Sequence, residues 1–181
     1  MKRKKILTLI LVLAIMLAGC SQAGANLEAA DAEPMVFEAG DENFAIKTYI
    51  NKLEFDEGEE IKLHSTIEYI GENESIEIWS GEPYFHHLIH DGDKCINSSI
   101  ALLILKGTVL KKGEVYTIPF DKIGGFTRGD PDAEFWEKYF SEKELRLPTG
   151  DYTFTAVTDF CLDMDQEEKV TLKTEFKVKV K

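Results

Sequence analysis

From Lys169 to the end of the chain, residues alternate with a period of two. Val170, Leu172, Thr174, Phe176, Val178 and Val180 fall on one side, and Lys169, Thr171, Lys173, Glu175, Lys177 and Lys179 on the other. That period predicts a strand with one buried face and one wet, basic face, because a helix would scatter the same residues around its circumference. The stretch from Asn51 to Trp79 reads as strand, turn, strand, turn, strand. Ile61, Leu63, Ser65, Ile67 and Tyr69 share a face, with Lys62, His64, Thr66 and Glu68 opposite, and Gly58 and the "GENE" run from Gly71 mark the turns. After Pro148 and Gly150, Tyr152, Phe154, Ala156, Thr158 and Phe160 line one face of another strand. In "EPYFHHLIHDGDKC", Tyr84, His86, Leu88 and His90 face one way, Phe85, His87 and Ile89 the other, and Asp91-Gly92 turns the chain. Strands that follow one another at turn spacing leave no room for helical crossovers, so antiparallel pairing is expected.

One helix breaks the pattern. "GDPDAEFWEKYF" offers Asp130 as a cap, Pro131 at the first helical position and acids in the first turn, with Phe135, Trp136, Tyr139 and Phe140 on one side. Two roles fit that aromatic face: a cover over an open end or edge of the fold, or an exposed patch that docks a partner. Tyr152, placed directly after a Pro/Gly turn, resembles the tyrosine corner of immunoglobulin-like domains, whose phenol bonds back to the upstream backbone. The fold expected for residues 43–181 is therefore an all-β, antiparallel immunoglobulin-like β-sandwich with one short helix inserted.

The first residues follow a different pattern. "MKRKKILTLILVLAIMLAGC" has a basic start, an apolar run from Ile6 to Leu17 and small residues at its end, as an export signal has. At roughly 1.5 Å per residue the run falls short of a bilayer's hydrocarbon core. Its last four letters, Leu17, Ala18, Gly19 and Cys20, resemble a bacterial lipobox. The resemblance implies a signal peptide over 1–19, a diacylglyceryl thioether on Cys20 and anchorage on the extracytoplasmic side of the membrane. Residues 20–42 are small and acidic without sustained periodicity and read as a tether.

Charge narrows the partners. The chain of 181 residues carries 33 acidic and 21 basic side chains. Four of the basic residues, Lys2, Arg3, Lys4 and Lys5, lie in the expected leader, so the mature chain has 17 against 33. Such a surface repels nucleic acid, which is set aside as a partner. The membrane contact expected is through lipidated Cys20.

The histidine-rich stretch is weak as a metal site. On a regular strand His86 and His90 lie on the order of 13 Å apart, whereas ligands to one zinc ion must each lie about 2 Å from it. A bulge near His90 or a ligand from another strand, such as His64, would be needed. The "DGD" turn lacks the further oxygens of a calcium loop, and no Gly-x-Ser-x-Gly elbow or catalytic cysteine setting occurs. No cofactor, metal or catalytic residue is assigned. With Cys20 lipidated, Cys95 and Cys161 remain as a pair that is either bonded, stabilising by ~4 kcal/mol on the chain-entropy model, or two free thiols.

The order "GEEIKLHSTIEYIGENESIEIW", "YFHHLIHDGDKC", "LKKGEVYTI", "LPTGDYTFTA" resembles the immunoglobulin-like domain of the BsuPI family of intracellular proteinase inhibitors. Asp91 and Gly92 match its hairpin, Leu110, Gly113 and Glu114 its "L-pGe" stretch (Lys112 replaces the proline), and Pro148, Gly150 and Tyr152 its last turn. "SSIALLILKGTV" and the aromatic helix look like insertions. The resemblance implies fold more than activity. The function expected is a non-catalytic binding or accessory module for an envelope protein or small ligand. The alternatives are a surface inhibitor of a secreted protease, and a metal-binding lipoprotein using His86, His87 or His90.

Overall fold

The computed structural model describes residues 33–92 and 94–181. The expected signal peptide, Cys20 and most of the expected tether lie outside them. The described chain is an antiparallel all-β sandwich with a single short helix. Its first sheet has the order β1 (Met35–Gly40), β2 (Phe44–Ile50), β4 (Leu63–Tyr69) and β9 (Val115–Pro119). The second has the order β3 (Glu54–Phe55), β13 (Lys173–Val180), β10 (Gly150–Thr158), β6 (Phe85–Asp91) and β7 (Lys94–Asn97). The third has β12 (Lys169–Val170), β11 (Phe160–Cys161), β5 (Ser75–Glu82) and β8 (Leu102–Lys111). The helix, α1, spans Ala133–Ser141. The two-residue β3 runs parallel to β13, while the other ladders are antiparallel.

The period-two faces are where the sequence put them. Tyr152, Phe154, Ala156 and Thr158 on β10 and Thr174, Phe176, Val178 and Val180 on β13 are buried, as are Ser65, Ile67 and Tyr69 on β4. Lys173, Glu175, Lys177 and Lys179 lie on the exposed face of β13. The C-terminal strand is interrupted at Thr171 and Leu172, where the Leu172 N–H turns to the Thr158 hydroxyl at 2.8 Å. The tyrosine corner forms: the Tyr152 hydroxyl donates to the Pro148 carbonyl at 2.8 Å, and burial pushes the phenol up to about 12. Gly150 lets the backbone pass close to that phenol, since a Cβ at that position would lie 3.1 Å from the Tyr152 hydroxyl.

Two expectations are corrected. Met35–Gly40, read as tether, forms β1 and pairs residue by residue with β2, from Met35 opposite Ile50 to Gly40 opposite Ala45. Phe37 stacks on Phe176 at 4.1 Å, but Met35 and Val36 stay exposed, so only Phe37 and Ala39 mark an inward face. The helix begins after Asp132 instead of Asp130. The Asp130 carboxylate is used one turn earlier, accepting the Thr127 N–H at 2.8 Å and its hydroxyl at 2.7 Å.

The core falls into two apolar clusters. One gathers Ile50, Phe55, Ile89, Tyr152, Phe154, Phe176 and Val178, and the other Phe44, Ile46, Ile67, Tyr69, Phe85, Leu110, Ala156 and Phe160. Between them runs a buried polar row. Thr48 bonds Thr174 at 2.7 Å and Ser65 at 2.9 Å, and Ser65 bonds His87 Nε2 at 2.9 Å. Thr48 and Ser65 belong to the first sheet and Thr174 and His87 to the second, so the row ties the sheets together across the core.

His87 lies deep enough that burial, reinforced by His64 and His86 nearby, lowers it from 6.5 to about 4. The folded chain therefore binds this proton less readily than the unfolded chain. The stability linked to it is complete above pH 6.5 and is lost as pH falls through about 4. The full shift corresponds to ~3 kcal/mol. Urea unfolding across that window should show the wild type taking up about one more proton on unfolding than His87→Gln. Equal slopes for the two proteins would remove His87 from the acid response.

Candidate interaction surface

The histidines are strand residues with different surroundings. His64 on β4 stacks flat on Tyr49 at 4.6 Å. His87 faces inward, between Phe85 and Phe120 at ring distances of 5.5 and 5.8 Å. His86, on the other face of β6, is buried without a hydrogen bond at either ring nitrogen, and the Asp159 carboxylate lies 3.5 Å away. Burial outweighs that carboxylate and lowers its proton affinity. The ladder does slip between Ile89 and His90, which is the bulge a metal site would have required. It nevertheless assembles no group of three metal-ligating side chains among the described residues.

The two cysteines are free and sit in different sheets. Cys95 is exposed on β7, where its thiol donates to the Asn97 carbonyl at 3.2 Å. Cys161 is buried on β11, paired with Trp79 of β5. Burial raises both thiols above their ordinary range.

The aromatic helix face is part of the core and not an open patch. Tyr139 is 3% exposed, and Phe135, Trp136 and Phe140 pack half-buried against the first cluster. Trp136 meets Phe135, Tyr139 and Phe140 at 4.8, 5.9 and 6.0 Å. The covering role holds because an amphipathic nine-residue helix is stabilised chiefly by burying its apolar face. Two residues that the sequence reading passed over hold it in place. Lys122 reaches the last turn, donating to the carbonyls of Tyr139 at 2.5 Å and Glu142 at 2.8 Å, where the helix dipole favours a cation. Fully buried Asn97 donates to the carbonyls of His87 at 2.6 Å and Asp121 at 3.2 Å, and accepts from the Ile123 N–H at 2.7 Å and the Tyr139 hydroxyl at 3.4 Å.

The surface that stands out lies elsewhere, on β8. This ten-residue strand pairs with β5 on one side only and forms the edge of its sheet. Leu110, Gly107 and Lys106 follow the ladder, but between Ser80 and Glu82 the register shifts and β8 bulges. There the apolar run is turned outward: Leu102 is 58% exposed and Ile104 66%, and Ile100, Leu105 and Val109 are exposed too. A groove of about 350 Å³ opens beside it, lined by Leu102, Ile104 and Leu105, by Trp79 and Cys161 across the sheet, and by the Asp159–Lys169 pair at 2.9 Å. The sequence marks the stretch through its run of apolar residues without alternation, a pattern that ordinarily signals a strand buried on both faces.

No family model matches the chain, and no curated protein or solved structure compared with it does either.

In a Cys20→Ala form, a thiol reagent at mildly alkaline pH should label Cys95 in the native protein and Cys161 only after denaturation. Absence of labelling at both until a reductant is added would instead show a Cys95–Cys161 bond.

Proposed function

We propose that this chain is a non-catalytic binding or accessory module, held on the extracytoplasmic side of the cell envelope by lipid on Cys20, that engages an envelope protein or ligand. The observation that supports binding most directly is β8. Soluble domains ordinarily blunt an edge strand with charge, proline or a covering element. Here the edge carries a bulge and two lysines, Lys106 and Lys111, yet it exposes Leu102, Ile104 and Leu105 together, beside a groove. Contiguous apolar exposure of this kind marks interaction surfaces. The lipobox letters Leu17 to Cys20 support the anchorage, since two acyl chains hold a protein stably where one is marginal.

A second reading, inhibition of a secreted protease, is favoured by the segment before α1. It holds exposed Arg128 between braces: Asn97 on Ile123, Phe126 stacked on Phe140 at 6.2 Å, and Asp130 on Thr127. Such bracing reduces the ordering cost of entering another protein's cleft.

Cross-linking from intact cells with the native protein, against a Cys20→Ala control, tests the module reading. One reproducible partner, enriched only when Cys20 is present, is expected. A protease as that partner, contacted through Arg128, would select the second reading. No enrichment over the control would contradict both as readings of a protein partner.

A further inference from the structure

β8 presents two unsatisfied features at once, a backbone edge that no second strand pairs, although the Lys111 N–H donates to the Tyr116 hydroxyl at 2.9 Å, and a row of exposed apolar side chains. What covers it must satisfy both. A lipid surface would take the side chains but leave the edge's N–H and C=O groups unpaired, and open sheet edges do not enter hydrocarbon. A second copy fits poorly. Full antiparallel self-pairing of Leu102–Lys111 sets each exposed Leu102 opposite a Lys111 and each Lys106 opposite a Gly107. The rest of the two molecules, each with an excess of acidic over basic side chains, adds repulsion.

Local charge completes the argument. From Lys94 to Gly113 the chain has four lysines and no acidic residue, although acids outnumber bases overall. Lys106 is held by Glu82 at 3.1 Å and Lys111 by Glu114 at 4.0 Å. Both are exposed pairs of the kind worth under about 1 kcal/mol, which a partner's carboxylates can replace. Lys112 makes no ion pair among the described residues and lies just past the strand's end. The geometry points to an extended segment of another protein, alternating apolar and acidic residues, that adds to β8 as a further strand. Its main chain pairs with the free edge, its apolar side chains on one face reach Leu105, Val109 and the groove under Trp79, and its carboxylates on the other meet Lys106 and Lys112. Main-chain pairing supplies affinity in such additions, and the side-chain pattern supplies selectivity.

This inference rests on the binding-module reading, and its test separates the two. The mature chain carrying Cys20→Ala is titrated with a ten-residue peptide alternating valine and glutamate, matched to the length of β8, and with one alternating valine and lysine. Affinity is read by calorimetry and the contact by amide shifts along Leu102–Val109. The expected result is a Kd below about 100 μM for the acidic peptide, binding at least tenfold weaker for the basic one, and reversal of that preference in the exposed double variant Lys106→Glu/Lys112→Glu. Equal binding of both peptides, shifts confined to residues outside β8, dimerisation through β8, or its burial in phosphatidylglycerol vesicles would each overturn the inference. Failure of both peptides while intact cells still yield a partner through another face would remove the β8 assignment and leave the module reading standing.

Discussion

The structure depends on the buried hydrogen-bond row that runs from Thr174 through Thr48 and Ser65 to His87. It crosses the sandwich between two apolar clusters, with Ile46 and Ile50 flanking Thr48 on β2, Phe85 and Ile89 flanking His87 on β6, and Leu172, just before β13, and Phe176 flanking Thr174. An apolar core of the same shape would tolerate sliding of one sheet over the other. Polar groups buried in a row do not, because any slip leaves a desolvated donor or acceptor without a partner at roughly 1–3 kcal/mol each. One register is therefore strongly preferred, and the ladders Thr48–Ser65 and Ala156–His87 sit in it.

The row also explains the division of roles among the histidines. Position 87 needs a side chain that reaches Ser65 from the second sheet and fills the space between Phe85 and Phe120, which a neutral imidazole does. The same register places Asn97 where it can accept from Ile123 and Tyr139, so the inserted helix is tied to β6 through one amide. The aromatic face of α1 is used to close the core. What remains outward is the strand that pairs on one side only, β8, and a surface at the edge of a rigid frame would lose little entropy on docking.

Much of this frame was legible in the residues. Alternation on β4, β10 and β13 gave the inward faces, including polar Ser65 and Thr174, and the Pro148–Gly150–Tyr152 pattern gave the corner bond. Three things were not. β1 escaped because an edge strand with only Phe37 and Ala39 facing inward carries too short a period to read, and its pairing with β2 defines it. The helix start was set two residues early because Asp130 and Asp132 are equally good caps in sequence, and only the Thr127 turn decides between them. The exposure of Leu102 and Ile104 could not be read, since an unbroken apolar run looks the same whether it lies mid-sheet or, after a bulge, on an open edge. Cys20 and the expected leader lie outside the described residues, so the proposed anchorage rests on four letters that resemble a lipobox.

Native-state hydrogen exchange at single-residue resolution tests the central claim, a pinned frame with one open edge, in a single experiment. The account predicts that the amides of Thr48, Ser65, His87 and Thr174 exchange only through global unfolding, while those of Leu102 to Leu105 exchange through local opening at far lower free energy. Equal protection of β8 and the polar row, in the isolated protein, would contradict it by showing that the edge is already closed.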